Sequence, residues 1–307
     1  MTPGEPLTDA AAIEVGGVGM ALTADTFVVR PLRFPGGSIG DLAVNGTVND
    51  LAVSGARPLA LLVTLVLEAG LPTELLEAEM RALGAAAAAA GVAIVGGDTK
   101  VVEHGKADGL YITTAGLGCA DRRLQLSARS VTAGDRIILS GPIGDHGITV
   151  LLARGDIDLE CDLRSDTRGV WPMVDALAAA VGAGVRWMRD PTRGGVATAL
   201  NELARDCRLG IAIDEERVPV RDEVRGACEL LGLDPLHIAN EGQFLAVVAC
   251  GRADEAVAAI RATPGGEAAA IVGEVRTEPA RTVLAMSGFG GSRVVDMLVG
   301  DPLPRIC

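Results

Sequence analysis

Runs of Val, Ile and Leu just long enough to cross a sheet alternate along the chain with Ala- and Leu-rich stretches of helical length. That alternation confines the chain to mixed layers of helix and strand. Its longest strongly apolar run, Leu59 to Leu67, stops at Glu68, far short of the ~20 residues that span a bilayer. The pattern predicts strands at 27–30, 59–67, 92–96 and 110–118, with helices near 39–55 and 73–91. After a polar segment at 121–134 a second set follows: strands at 136–140, 185–188, 211–213 and 244–249, with helices after Asp145, Trp171, Gly195, Asp222 and Asp254. At 307 residues and about 150 residues per domain, two domains are expected, 1–120 and 121–299. Residues 300–307 contain Pro302 and Pro304, which exclude a helix. This tail is expected to be an extended arm projecting from the body.

Composition removes several function classes. With 27 Lys+Arg against 40 Asp+Glu the net charge is -13, and no basic cluster interrupts the acidic background, so no nucleic acid and no membrane surface is expected as a partner. Aromatic residues make up 2%, too few for base-stacking platforms. The start of the chain lacks a basic segment leading into an apolar stretch, so a cytoplasmic protein is expected. Six cysteines without ligand-like spacing argue against zinc and disulfides. Five of them read as small core residues, and Cys307 stands apart as the last residue.

Three patterns could carry chemistry. Asp41, Asn45 and Asn49 recur at i, i+4 and i+8 with Asp50 beside them, which is either a solvated helix face or a row of oxygen ligands for a hard cation or nucleotide. Asp98 and Asp190 follow expected strands, where layered α/β proteins bind ligands. Asp190 leads into Thr192-Arg193-Gly194-Gly195 at a helix start, which is either a tight turn or a phosphate cradle. Lys occurs only at Lys100 and Lys106, and Lys100 lies two residues beyond Asp98 in Gly96-Gly97-Asp98-Thr99-Lys100. Glu241 is a lone carboxylate ahead of an apolar strand. Asp145 reads as a helix cap, and His104, His146 and His237 read as structural. Cys307, next to the chain's own carboxylate, is ill suited to be an activated nucleophile. It is better suited to carry a covalent group between sites, as lipoyl arms do; the alternative is an ordinary chain end.

These residues lie in Thr23-Ala24-Asp25-Thr26-Phe27, Gly40-Asp41-Leu42-Ala43, the segment from Gly46 to Gly55, Gly97-Asp98-Thr99-Lys100, Gly144-Asp145-His146-Gly147, Arg189-Asp190, Asn240-Glu241-Gly242 and the terminal Pro304-Arg305-Ile306-Cys307. Together they resemble the HypE carbamoyl dehydratases of hydrogenase maturation, relatives of aminoimidazole ribonucleotide synthetase and selenophosphate synthetase. The terminal tetrapeptide is what separates HypE chains from those relatives. The resemblance implies an α/β (α+β), two-domain fold with a flexible tail, and a homodimer formed through the N-terminal sheet. It implies ATP and Mg²⁺ as cofactors. It also implies a HypF-type carbamoyltransferase that loads Cys307, and a HypC–HypD iron scaffold that receives cyanide. By the same resemblance Asp25, Asp41, Asp98 and Asp190 hold metal. Asn45, Asn49, Asp50, Gly96, Gly97, Thr99, Thr192, Arg193, Gly194 and Gly195 bind the nucleotide, and Lys100 and Glu241 act with Cys307 in catalysis. Chains of this kind carry a longer Gly-rich start, whereas 24 residues precede Asp25 here; Gly16, Gly17 and Gly19 read as its remnant, and weaker nucleotide binding is expected. The alternatives are an idle carrier that only presents Cys307, or an ATP-dependent enzyme of the selenophosphate synthetase type.

Overall fold

The residues placed by the computed structural model are 8–155, 161–298, 300, 303 and 305–307. Two positive-φ glycines, Gly16 and Gly17, turn β1 (Ala11–Val15) into β2 (Val18–Phe27), so this Gly-rich segment is a hairpin turn. The strand expected at 27–30 therefore ends where it was expected to begin. A short hairpin, β3 (Arg33–Phe34) and β4 (Gly37–Ser38), leads into α1 (Ile39–Val53), then β5 (Ala56–Glu68), α2 (Thr73–Ala90), β6 (Ala93–Val102) and β7 (Leu110–Ala120). The first sheet has the order β1-β2-β7-β5-β6, antiparallel except for the β5–β6 pair. β6 is longer than expected, so Asp98 and Lys100 lie inside a strand and not beyond its end.

The second half runs β8 (Arg136–Leu139), α3 (Asp145–Ala153), α4 (Trp171–Val181), β9 (Val185–Arg189), α5 (Gly195–Cys207), β10 (Gly210–Asp214), α6 (Asp222–Leu231), β11 (Leu245–Val248), α7 (Ala253–Arg261), β12 (Ala270–Arg276), β13 (Val283–Met286) and β14 (Ser292–Val295). Its sheet has the order β14-β13-β10-β12-β8-β11-β9. The last three strands, β12 to β14, had no counterpart in the sequence pattern; β12 and β13 find their places in the sheet by pairing with β10, more than fifty residues earlier, while β14 closes a hairpin with β13. Leu200 and Leu203 of α5 pack on one face with Leu139 and Val247, while Leu177 of α4 and Ile260 of α7 pack on the other with Ile138 and Ala246. Strands covered on both faces read as continuous apolar runs, as β8 and β11 do.

α1 is small and apolar nearly all round, and it is buried on nearly every side. Its Asn45 and Asn49 therefore face the second half of the chain instead of water. Of the five cysteines expected in the core only Cys228 is buried; Cys161 and Cys250 are exposed. No helix among the described residues is long and apolar enough to cross a membrane.

Candidate functional site

Four carboxylates meet where the two halves touch. Asp190 directly follows β9, Asp50 is in the last turn of α1, Asp25 is in β2 and Asp9 lies just ahead of β1. One oxygen each from Asp9, Asp50 and Asp190 lie within 4.8 Å of one another. Thr23 Oγ1 donates to Asp50 at 2.8 Å, Thr47 Oγ1 donates to Asp25 at 3.0 Å, and Arg189 pairs with Asp9 at 2.9 Å. Burial pushes the Asp50 carboxyl up to about 10, with Asp190, Asp25 and Asp9 adding like-charge repulsion. Burial likewise lifts Asp9 to about 6 and raises Asp25 and Asp190. Arg189 beside Asp9 does not offset the burial and mutual repulsion of these acids, and their all-oxygen donor set suits a hard divalent cation. The sequence offered no signal for Asp9, which is brought in by the first hairpin.

The structure places the expected metal residues in different surroundings. Asp25 and Asp190 join this group. Asp41 accepts a hydrogen bond from Ser38 at the other end of α1, nine residues or about 13 Å along the axis from Asp50, so one ion cannot touch both. Asp98 lies exposed on the edge strand β6, paired with Lys100 at 2.8 Å; the Lys100 ammonium, first by hydrogen bonding, holds its carboxyl below the usual range. Gly96 and Thr99 are exposed on the same strand, and Gly97 sits where a Cβ would come 1.7 Å from the Val63 carbonyl. Thr192, exposed Arg193 and Gly194 do turn into α5 beside Asp190, and the Arg193 charge offsets a small part of the burial that raises the Asp25 carboxyl. Gly195 has φ 61, and a Cβ there would meet the Leu236 and Ile238 carbonyls at 2.6 Å, so packing alone requires it.

The loop 161–170 ties the acids to Glu241. Asn49 donates to the Arg168 and Glu241 carbonyls at 2.9 and 3.1 Å and accepts from Val170 N–H at 2.8 Å. All of its polar atoms serve this joint, so it supports the site and does not reach a ligand. Asn45 donates to Thr167. Asp166 accepts from the backbone N–H groups of Glu241 and Gly242 at 3.1 and 3.2 Å, which fixes the segment that carries the Glu241 carboxyl. Glu241 is buried, its Oε1 is without a hydrogen-bond partner, and its carboxyl hydrogen-bonds with Cys307. Burial, then Asp190, Asp166 and Asp25, raise its carboxyl well above the ordinary range.

The end of the tail is docked, contrary to the projecting arm expected. Pro302 and Pro304 lie outside the described residues, but Leu303 and Ile306 are buried in the first core cluster and Cys307 packs against it. Arg305 Nη1 pairs with Asp108 at 2.8 Å, and its backbone lies in the left-handed region at φ 59, a conformation that costs about 1–2 kcal/mol for a side-chain-bearing residue. Apolar burial of Leu303 and Ile306 outweighs that cost, at roughly 1.5–3 kcal/mol per fully buried side chain. The tail thus brings its terminal thiol back to a buried carboxyl beside a group of acids.

The chain matches the AIR synthase related protein, N-terminal domain, over residues 7–120 and the AIR synthase related protein, C-terminal domain, over residues 132–284. It is 50% identical over 299 residues to the carbamoyl dehydratase HypE of Rhizobium leguminosarum bv. viciae, covering 97% of this chain and 85% of that one. The crystal structure of the hydrogenase maturation protein HypE in complex with ATP is similar at a TM-score of 0.90 and 42% identity, over 98% of this chain and 90% of that one. The crystal structure of a HypE–HypF complex is similar at a TM-score of 0.90 and 40% identity, over 95% and 93%.

Proposed function

Because the chain belongs to the AIR synthase related family and, within it, to the HypE carbamoyl dehydratases, an ATP-dependent enzyme of hydrogenase maturation, we propose that its substrate is a carbamoyl group on its own Cys307. The observation that carries this reading is the docked tail, which sets the terminal thiol against the buried Glu241 carboxyl next to the acidic group. A HypF-type carbamoyltransferase supplies the S-carbamoyl group, in keeping with the HypE–HypF complex of the similar structure. The carbamoyl oxygen attacks the γ-phosphorus of ATP and ADP leaves. Loss of the nitrogen protons then expels phosphate from carbon, and a thiocyanate remains on sulfur. Phosphate is a good leaving group where an amide oxygen is a poor one. The cyano group passes on to the iron of a HypC–HypD scaffold.

Glu241 takes a proton from the carbamoyl nitrogen. Burial raises the proton affinity of its carboxylate, which makes it a stronger base than an ordinary carboxylate. Asp9, Asp25, Asp50 and Asp190 are the residues that would hold Mg²⁺, which when bound supplies the counter-charge for the nucleotide phosphates. Arg193 and the backbone of Gly194 lie beside that group to receive phosphate oxygens, while the Gly195 N–H is taken by the Thr192 carbonyl at 2.9 Å. Asp98, Thr99 and Lys100 join from the edge strand of a second copy, since β6 is exposed with apolar Ile94, Val95 and Val101. Lys100 there balances charge on the oxygen. Intact-mass measurement tests the reading: after loading by the carbamoyltransferase the chain should gain one carbamoyl group at Cys307, and Mg-ATP should then remove one water. A chain that loads but never loses water with Mg-ATP would be a carrier only.

A further inference from the structure

α3 meets the tail at both of its ends. In its first turn the Nε2 of His146 lies 2.6 Å from the Ile306 carbonyl. Arg154, the residue after its last turn, places Nη2 at 2.6 Å from the Arg305 carbonyl and Nε at 2.9 Å from that of Arg30. Between these bonds Leu303 and Ile306 share an apolar cluster with Ile148 and Val150 of the same helix. A carbonyl can only accept, so the imidazole hydrogen sits on Nε2, and Nδ1 accepts from the Ser165 hydroxyl at 2.8 Å. Ser165 is itself fixed: its Oγ accepts from Thr167 N–H at 3.1 Å and its own N–H donates to the Pro35 carbonyl at 2.9 Å. The ring is fully buried and stands edge-on to Phe34, 5.5 Å between centroids. On its other edge the tail accepts from Val28 N–H at Cys307 and from Arg30 N–H at Arg305, both at 3.1 Å. A histidine whose only role was to fill the core would not need its tautomer set so that its one N–H reaches the residue before the terminal cysteine.

We propose that His146 is a positioning residue for the reaction at Cys307: its Nε2–H clamps the Ile306 carbonyl, with Arg154 as a second clamp, so that the terminal thiol is delivered to Glu241. The inference deepens the function proposed above and rests on it for the chemistry at Cys307. The test uses the full chain, a short pulse of iodoacetamide and peptide mass mapping, with the exposed Cys161 and Cys250 as reference thiols. Stranding a buried carbonyl is costly enough that His146→Ala should raise the Cys307 alkylation rate about tenfold or more against the reference thiols. His146→Gln, whose amide nitrogen can also donate, should restore most of the protection. Arg154→Ala, at a helix end where truncation leaves the core intact, should raise alkylation severalfold. In carbamoyl-loaded chains the first-turnover dehydration should fall in the same order and recover with Gln, at unchanged Mg-ATP affinity. Alkylation of Cys307 that is unchanged in both His146→Ala and Arg154→Ala would overturn the clamp, and raised alkylation with undiminished dehydration would overturn the positioning role. If wild-type chain never gained a carbamoyl group on Cys307, the chemistry proposed above would fail while the alkylation contrast still decided the clamp.

Discussion

At the scale of single residues, the site is a set of acids held out of water at a cost that a ligand can offset. Glu241 is the case with a catalytic consequence. Positioned acid–base groups contribute about 10²–10⁴-fold, so Glu241→Gln should slow dehydration of the loaded chain by about 10²-fold or more while calorimetry finds Mg-ATP affinity preserved. Asp50 has a consequence for stability. Its carboxyl titrates near 4 in an unfolded chain and about 10 in the folded one. The folded state therefore binds the extra proton between those values, and stability falls as pH rises through that window. Asp50→Asn removes the group. Without ligand, melting scans should show this variant more stable at neutral pH, by roughly 2–4 °C for each 1 kcal/mol, with a flatter dependence between about pH 4 and 10. An Asp50→Asn melting temperature equal to wild type across the range would mean that the like-charge group carries no strain.

At the scale of elements, α1 and the loop 161–170 act as one unit. The helix has no polar face in the usual sense; its Asn49 is 1% exposed and bonds to three backbone groups of two distant segments. Truncation to Ala strands those groups in the interior, each at about 1–3 kcal/mol. Asn49→Ala should therefore lower the unfolding free energy by about 2–4 kcal/mol, measured by denaturant titration. It should also impair dehydration, because the Glu241 carbonyl is one of its partners. The periodicity of Asp41, Asn45 and Asn49 was visible in the sequence, but what the face meets was not. A row of Asp and Asn reads the same whether it holds a ligand or a loop, and here it holds a loop that folds across from more than a hundred residues away.

At the scale of the whole molecule, one sheet is left incomplete. The first sheet ends in β6, a strand exposed along nearly its full length, with Val95 64% and Val101 68% exposed. An open apolar edge invites pairing with another chain. If a second copy pairs along this edge, as proposed, replacing both Val95 and Val101 with Arg should shift the protein to a slower-sedimenting species in sedimentation velocity and weaken Mg-ATP binding through loss of Asp98 and Lys100 of the neighbouring copy. A double variant that sediments as wild type would show that no second copy pairs along β6. The sequence by itself determined most of the strand and helix alternation and the family, because apolar period, turn glycines and contiguous motifs are local properties of a chain. It also marked Cys307, Glu241, Asp25 and Asp190. Only the tertiary structure decided that Asp9 and Asp50 complete the acidic group, that Asp98 and Lys100 lie apart from it on an edge, and that the tail folds back onto His146. Each of those depends on contacts between segments far apart in sequence, where hydrogen-bond partners and burial are set by packing and leave no periodic trace in the chain.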